Sequence, residues 1–123
     1  MSSALPDGAV LLSGVSVASV DEGLLYRATM PNGNALCVGL YDGKFFAVKD
    51  YCPHREYPLS EGTLYPNGEI ECSWHGARFA CFSGKVLRGP AESDLVRFEV
   101  GELDGALYVW RATSAPTVTG GGL

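Results

Sequence analysis

The chain has 123 residues, of which 46% are hydrophobic and 19% charged, and this composition is typical of one soluble globular domain with a modest core. Its formal net charge of −5 argues against a nucleic-acid partner. No apolar run approaches the roughly 18 residues of a membrane span, and residues 1–10 carry no basic residue of the kind that begins a secretory signal, so we expect a cytoplasmic protein.

Short apolar segments separated by turn residues predict an all-β fold. In chain order the predicted strands are residues 15–20, 24–30, 35–41, 45–49, 69–71, 77–82, 85–87, 95–103 and 106–111. Asn-Gly and Asp-Gly pairs separate several of them and favour tight hairpins, at residues 32–33, 42–43, 67–68 and 104–105. No segment shows a helical period over about 11 residues.

Two short elements each combine one cysteine with one histidine. They are Cys52-Pro-His54 and Cys72-Ser-Trp-His75, and 17 residues separate His54 from Cys72. Two thiolates and two imidazoles can hold two iron ions asymmetrically, with both sulfurs on one ion and both nitrogens on the other. This is the ligand set of a Rieske [2Fe–2S] centre, and we interpret these four residues as its ligands.

Two other interpretations of these residues remain open. A Cys2His2 set can bind zinc tetrahedrally, although zinc fingers usually pair cysteine with cysteine and histidine with histidine. The four residues could also be ordinary core cysteines and solvated histidines, since cysteine is common in protein cores. The other two cysteines fit this pattern: Cys37 lies in an apolar run and is expected in the core, and Cys81 is either a packing residue or an oxidation-sensitive thiol.

The residues around the four ligands strengthen the iron–sulfur interpretation. Residues 52–62 and 72–79 resemble the two cluster-binding loops of Rieske proteins, and Ser83-Gly-Lys85 and Gly89-Pro-Ala91 resemble the family's turn and proline loop. The resemblance covers residues 10 to 111 and is strongest to the small Rieske-type ferredoxins of bacterial aromatic-ring dioxygenases. It implies an antiparallel β-sandwich framework with a small inserted cluster-binding subdomain at about residues 50–90. We therefore expect one domain over residues 1–112 and a flexible tail over residues 113–123.

The resemblance also bears on the reduction potential. Respiratory Rieske proteins carry a disulfide between the two loops, and the matching positions here are Tyr57 and Trp74. The Ser and Tyr hydroxyls that hydrogen-bond the cluster sulfurs in those proteins correspond to Ala77 and Phe79. Hydrogen bonds to the sulfurs stabilise the reduced cluster, so their absence predicts a potential near the low end of the Rieske range, about −150 mV.

The function implied by the resemblance is one-electron transfer. The chain has only two histidines, which leaves none for the mononuclear iron of an oxygenase, and it lacks a GxGxxG nucleotide-binding motif. We expect a monomeric carrier, not an enzyme, that passes electrons from a flavoprotein reductase oxidising NADH or NADPH to a terminal Rieske oxygenase acting on aromatic compounds. An alternative is a small subunit held within a larger reductase, such as assimilatory nitrite reductase.

Overall fold

A computed structural model of the chain describes residues 5–51, 58–73, 76–89 and 94–111. These ranges contain strands and one short 3-10 turn, Leu59–Glu61, and none of their segments is a helix long and apolar enough to cross a membrane. The strands are β1 (Val10–Leu11), β2 (Leu25–Thr29), β3 (Ala35–Tyr41), β4 (Lys44–Lys49), β5 (Thr63–Leu64), β6 (Glu69–Glu71), β7 (Arg78–Ala80), β8 (Val86–Arg88), β9 (Arg97–Leu103) and β10 (Ala106–Arg111). The expected all-β class is confirmed, and the expected tail, residues 113–123, lies outside the described residues.

The framework is an antiparallel six-stranded sheet with the strand order β1-β10-β9-β4-β3-β2. The sheet is curled, since the chain just after β1, at one edge, contacts β2, at the other edge. There the backbone amides of Ser13 and Thr29 each donate to the other's carbonyl oxygen, at 2.9 and 3.0 Å. The two edge strands of the framework are therefore linked through one short segment.

Two framework hairpins have the tight turns that their Asp-Gly pairs predict. Asp42 and Gly43, which join β3 to β4, have φ angles of 54° and 77°. Asp104 and Gly105, which join β9 to β10, have φ angles of 54° and 80°. Two consecutive positive φ angles match the right-handed twist of the flanking strands, which is why these residue pairs favour hairpins.

A second antiparallel sheet, with the strand order β5-β6-β7-β8, is formed by the chain between β4 and β9. Because β4 and β9 pair directly in the framework, at Ala47 with Phe98 and Val48 with Arg97, this chain leaves and re-enters at neighbouring points. The amide of Lys49 donates to the carbonyl oxygen of Val96 at 2.8 Å and closes the base of the insertion.

Two hydrophobic clusters lie on the two faces of the framework sheet. One cluster joins the two sheets, with framework residues such as Cys37 and Val48 against Ile70 and Phe79 of the small sheet, all 0% exposed. The other fills the concave side of the curled sheet, with Leu36 and Val38 among its members. Alternate residues of β3 thus face alternate clusters, as the two-residue period of a strand requires.

The predicted strand over residues 15–20 is wrong. Local hydrogen bonds of Ser16 and Ser19 form turns there: the amide of each serine donates to the other's hydroxyl, at 2.8 and 3.2 Å. Serine side chains offer the backbone such an alternative to strand pairing. The strands that the sequence did not predict, β1 and β5, are only two residues long. The remaining predicted strands are confirmed with small differences at their ends.

Candidate metal centre

Cys72 is the one predicted ligand that lies within the described residues. It follows β6 directly and is 0% exposed, in the cluster that joins the two sheets. Its amide donates to the carbonyl oxygen of Ala77 at 2.8 Å, and its carbonyl oxygen accepts from the amide of Gly76 at 3.2 Å. These bonds close the β6–β7 turn, which we call the second ligand segment (residues 72–77).

The other three predicted ligands, Cys52, His54 and His75, lie outside the described residues, as do Tyr57 and Trp74. Among the described side chains, no group of three or more His, Cys, Asp or Glu residues could hold a metal ion. The structure therefore informs the centre through the residues that border the two ligand segments. We call residues 51–59 the first ligand segment, because they contain Cys52 and His54.

The chain leaving the first ligand segment lies against the chain entering the second. A Cβ atom built on Gly62 would lie 2.1 Å from the carbonyl oxygen of Glu71, the residue before Cys72. The next residue, Thr63, pairs with Glu71 as the first rung of the β5–β6 ladder. Only glycine permits this approach, so residue 62 must lack a side chain for the chain after the first ligand segment to lie against Glu71.

Asp50 and Ser60 border the first ligand segment and are joined by two hydrogen bonds. The amide of Ser60 donates to Oδ1 of Asp50 at 2.7 Å, and its hydroxyl donates to Oδ2 at 2.8 Å. The Nε of Arg27 lies 3.8 Å from Oδ2 and supplies a partly exposed countercharge. The two ends of the first ligand segment are thus connected through one carboxylate.

Next to the second ligand segment, four side chains form a network that links the residue after β5 with strands β6 and β7. The hydroxyl of Tyr65 donates to Glu71 Oε1 at 2.6 Å, and the guanidinium of Arg78 lies over the Tyr65 ring, 4.1 Å from its centroid. Arg78 donates from Nη1 to Glu69 at 3.0 Å, while its Nε, 3.6 Å from Glu71, makes no hydrogen bond. The bond from Tyr65 lowers the pKa of Glu71, and the same bond raises the pKa of Tyr65.

Hydrogen bonds also link the residues on either side of the proline-loop segment (residues 90–93). Oδ1 of Asp94 accepts a hydrogen bond from the amide of Val86 at 2.8 Å, and the amide of Leu95 donates to the carbonyl oxygen of Gly84 at 2.7 Å. Residues 90–93 themselves, including Pro90, lie outside the described residues. The bonds to residues 94 and 95 fix where this segment rejoins the framework.

The two residues on which the predicted low reduction potential depends, Ala77 and Phe79, are deeply buried. Ala77 and Phe79 are both 0% exposed and carry no hydroxyl. The phenol of Tyr65 already donates its hydrogen bond to Glu71.

Cys37 and Cys81 lie in the same cluster as Cys72, at 0% and 2% exposed, and neither forms a disulfide. Burial raises the pKa of Cys37 well above its usual value and that of Cys81 to about 11, which favours a packing role over a reactive thiol.

The described residues fit an iron–sulfur centre at this place. A buried cysteine at the head of a tight turn can present its sulfur from a rigid backbone, and thiolate is a ligand suited to such clusters. The Gly62–Glu71 approach places the chain that follows the first ligand segment against the residue that precedes Cys72. The chemistry of the four predicted donors, two sulfurs and two imidazoles, is that of a Rieske centre and differs from that of an all-cysteine one.

The sequence profile of the Rieske [2Fe-2S] domain matches residues 14–99, which is most of the chain. The chain belongs to the Rieske [2Fe-2S] domain family. Its cofactor is therefore a Rieske-type [2Fe–2S] cluster.

Several known proteins are similar to this chain. The ferredoxin component of the p-cumate 2,3-dioxygenase system of Pseudomonas putida is 38% identical over 90 residues, which are 73% of this chain and 76% of that protein. A structure described as the complex of reduced oxygenase and oxidized ferredoxin in carbazole 1,9a-dioxygenase matches with a TM-score of 0.73 and 29% identity, over 86% of this chain and 95% of the other. The carbazole 1,9a-dioxygenase ferredoxin of Nocardioides aromaticivorans IC177 has the same fold, with a TM-score of 0.76 and 20% identity over 86% and 100% of the two chains.

The residues that border the ligand segments are hard to identify as functional from the sequence alone. Ser60, Gly62 and Arg78 lie within the two segments that resemble the Rieske loops, and Asp50 lies two residues before the first segment. The contacts that these residues make are visible only in three dimensions. A signal for Asp50 does exist, because a carboxylate that directly follows the apolar strand Phe45–Lys49 and precedes a ligand is a candidate for capping the segment in between.

Proposed function

We propose that this protein is the ferredoxin component of an aromatic-ring dioxygenase system and carries one electron at a time. The observation that supports this most strongly is the 38% identity with the p-cumate dioxygenase ferredoxin over three quarters of both chains. The chain also matches most of the length of a chain in the carbazole dioxygenase oxygenase–ferredoxin complex. Both similarities favour a carrier that is not catalytic alone.

The ligands in this proposal are Cys52, His54, Cys72 and His75. When bound, the cluster supplies a site that accepts and releases a single electron. The protein's own contribution is to hold the four donors in place and to limit the polar contacts of the sulfurs. The buried, hydroxyl-free side chains of Ala77 and Phe79 support a potential near the low end of the Rieske range, about −150 mV.

The carrier has two proposed partners, an electron donor and an electron acceptor. The acceptor is a terminal Rieske oxygenase, a proposal supported by the oxygenase–ferredoxin complex of the carbazole system. The donor is a flavoprotein reductase that oxidises NADH or NADPH. A net charge of −5 suits electrostatic steering towards a basic patch on a redox partner, and such steering accelerates encounter more than it tightens binding. We propose a cytoplasmic monomer, as a shuttle must release each partner.

A redox titration followed by low-temperature EPR tests the central proposal. We expect one-electron reduction at a negative potential and a rhombic signal in the reduced protein. A stoichiometric, colourless zinc protein would contradict the electron-carrier function. A positive potential would contradict the hydroxyl argument and leave the carrier function standing.

Ligand variants test the four assigned residues. Cys52→Ser and His75→Ala should each lose the Rieske signal and most of the bound iron, because the cluster needs all four donors. Cys81→Ser is the matched control, since it removes a buried thiol from the same core without removing a proposed ligand. Retention of a normal signal in Cys52→Ser or His75→Ala would overturn the assignment.

Gel filtration of the native protein from its own cell extract tests the shuttle role. We expect the red-brown protein to elute at the 13.1 kDa expected of a monomer. Co-elution with a much larger reductase would instead indicate a permanently bound subunit.

A further inference from the structure

In the part of the chain that the structure describes, Asp50 is the one charged or polar residue that is buried. Its side chain is 0% exposed, whereas the side chain of its countercharge, Arg27, is 59% exposed. Burying a carboxylate is costly unless hydrogen bonds compensate for the lost water. Both Asp50 oxygens meet that need through a single residue, Ser60.

The position of this pair along the chain gives it a specific consequence. Asp50 is two residues before Cys52, and Ser60 is six residues after His54. The backbone on each side is anchored: the amide of Asp50 donates to the carbonyl oxygen of Ala35 at 3.1 Å, and Leu59 is 0% exposed in the core. The pair therefore fixes both ends of the segment that carries Cys52 and His54.

The two ligand segments are closed in different ways. The second spans only residues 72–77 and is closed by the backbone bonds between Cys72, Gly76 and Ala77. The first spans nine residues, 51–59, and its ends are joined by side-chain hydrogen bonds. A longer segment loses more conformational freedom when its ends are fixed, so the first segment gains more from a clamp.

We propose that Asp50 and Ser60 form a carboxylate clamp that positions the first pair of cluster ligands. In this role Asp50 is a positioning residue, since it acts through Cys52 and His54 and does not itself bind iron. The inference rests on the proposed ligand assignment. It predicts that breaking the clamp loosens iron retention and changes the ligand geometry, beyond any general loss of stability.

The test compares iron release to a chelator and EPR g-values in purified holoprotein variants. Asp50→Ala removes both bonds to Ser60, and we expect iron release to accelerate about 10- to 100-fold, with altered g-values, because hydrogen bonds to a charged acceptor are the stronger kind. Ser60→Ala removes only the hydroxyl bond and should accelerate release by a smaller factor. The double variant should release iron no faster than Asp50→Ala, since the two residues act as one unit.

Conservative variants separate the clamp from a general structural role. Asp50→Asn can accept from the Ser60 amide and donate to its hydroxyl, so it should restore most of the iron retention lost in Asp50→Ala. Glu22→Ala is the matched control. Glu22 also accepts two backbone hydrogen bonds, from the amides of Asp42 and Gly43, but at the opposite end of β4. It should lower the unfolding temperature and leave g-values and iron release unchanged.

The outcomes distinguish the clamp from the proposed function. A wild-type protein without a Rieske signal would refute the ligand assignment and the clamp together. A normal wild-type signal with unchanged iron release and g-values in Ser60→Ala and Asp50→Ala would refute the clamp alone. If Asp50→Ala does not fold, Ser60→Ala decides the question: faster iron release with altered g-values supports the clamp, and unchanged values refute it. An equal effect of Glu22→Ala would also overturn the proposal, because it would show a response to stability alone.

Discussion

The α-carbon of Gly62 faces the carbonyl oxygen of Glu71 so closely that an added Cβ atom would lie 2.1 Å from it. The contact is between two backbones, so no rotamer change can relieve it. Gly62→Ala should therefore separate the chains that carry the two ligand elements and lower both iron content and unfolding temperature. Overpacking of this kind typically costs about 1–3 kcal/mol. Iron analysis and thermal unfolding of the purified variant measure both effects.

Gly101→Ala is the control for this prediction. Its added Cβ would approach the side chains of Leu5 and Trp110, at 2.6 and 3.0 Å, and the end of a leucine side chain can move. We expect Gly101→Ala to keep its iron. Full iron occupancy and an unchanged unfolding temperature in Gly62→Ala would contradict the inference that this backbone approach keeps the two chains together.

Hydroxyl groups introduced into the buried cluster that contains Cys72 should raise the reduction potential. Ala77 and Phe79 are completely buried, so a Ser hydroxyl and a Tyr hydroxyl there would lack water and would need partners inside the protein. The resemblance to respiratory Rieske proteins makes the cluster sulfurs the expected partners. Such bonds stabilise the reduced cluster. We expect the Ala77→Ser/Phe79→Tyr double variant to titrate at a higher potential than the wild type in voltammetry.

Phe45→Tyr is the control, since Phe45 packs in the cluster on the other face of the framework sheet. Its potential should equal that of the wild type. An unchanged potential in the double variant, with intact EPR, would show that the hydroxyls find other partners.

The Tyr65–Glu71 hydrogen bond predicts a pH-dependent contribution to stability. It lowers the pKa of Glu71 from a usual value of 4.5, so its stabilising effect is complete above that pH and is lost as the pH falls through the lower, folded-state value. The raised pKa of Tyr65 sets the opposite limit: the contribution is present below the usual value of 10 and is lost at more alkaline pH. The unfolding temperatures of wild type and Tyr65→Phe should differ most near neutral pH and converge in acid.

Tyr26→Phe provides the comparison for this pH series. The Tyr26 hydroxyl accepts a hydrogen bond from the backbone amide of Asp21 at 2.9 Å, so this bond does not involve a carboxylate. Its difference from the wild type should stay constant as the pH is lowered from 7 towards 4.5. A Tyr65→Phe difference that is equally constant would contradict the assigned coupling to Glu71.

The thiol of Cys81 should be unreactive in the folded protein. Desolvation raises its pKa to about 11, so about one thousandth of it is thiolate at pH 8, and its side chain is only 2% exposed. Because the folded-state pKa exceeds the usual value of 9.0, this burial also costs stability as the pH rises from 9 towards 11. Iodoacetamide labelling followed by mass spectrometry should modify Cys37 and Cys81 only after unfolding. Rapid labelling of Cys81 in the native protein would instead identify an accessible redox thiol.

The parts of the fold that the sequence predicts well are those with a local cause. Asp42-Gly43 and Asp104-Gly105 predict hairpins because few other residue pairs adopt two positive φ angles. The strand prediction at residues 15–20 fails because Ser16 and Ser19 bond each other's amides, a choice that apolar alternation does not reveal. The two-residue strands β1 and β5 have no period to detect.

The same distinction applies to the site. The Cys/His spacing predicts the cofactor because the ligand types are themselves the chemistry. The Asp50–Ser60 clamp and the Gly62–Glu71 contact join residues about ten positions apart, and nothing in either residue alone specifies its partner. They follow from the way the small sheet folds back onto β4 and β3, which is a tertiary result.

The hydrogen bond between Lys49 and Val96 places the start and the end of the small sheet's chain next to each other on paired strands. The small sheet between those ends packs on the framework through a shared core, in which Cys37 and Val48 lie against Ile70 and Phe79. Loss of the small sheet would expose these framework side chains to water, so the stabilities of the two sheets are coupled.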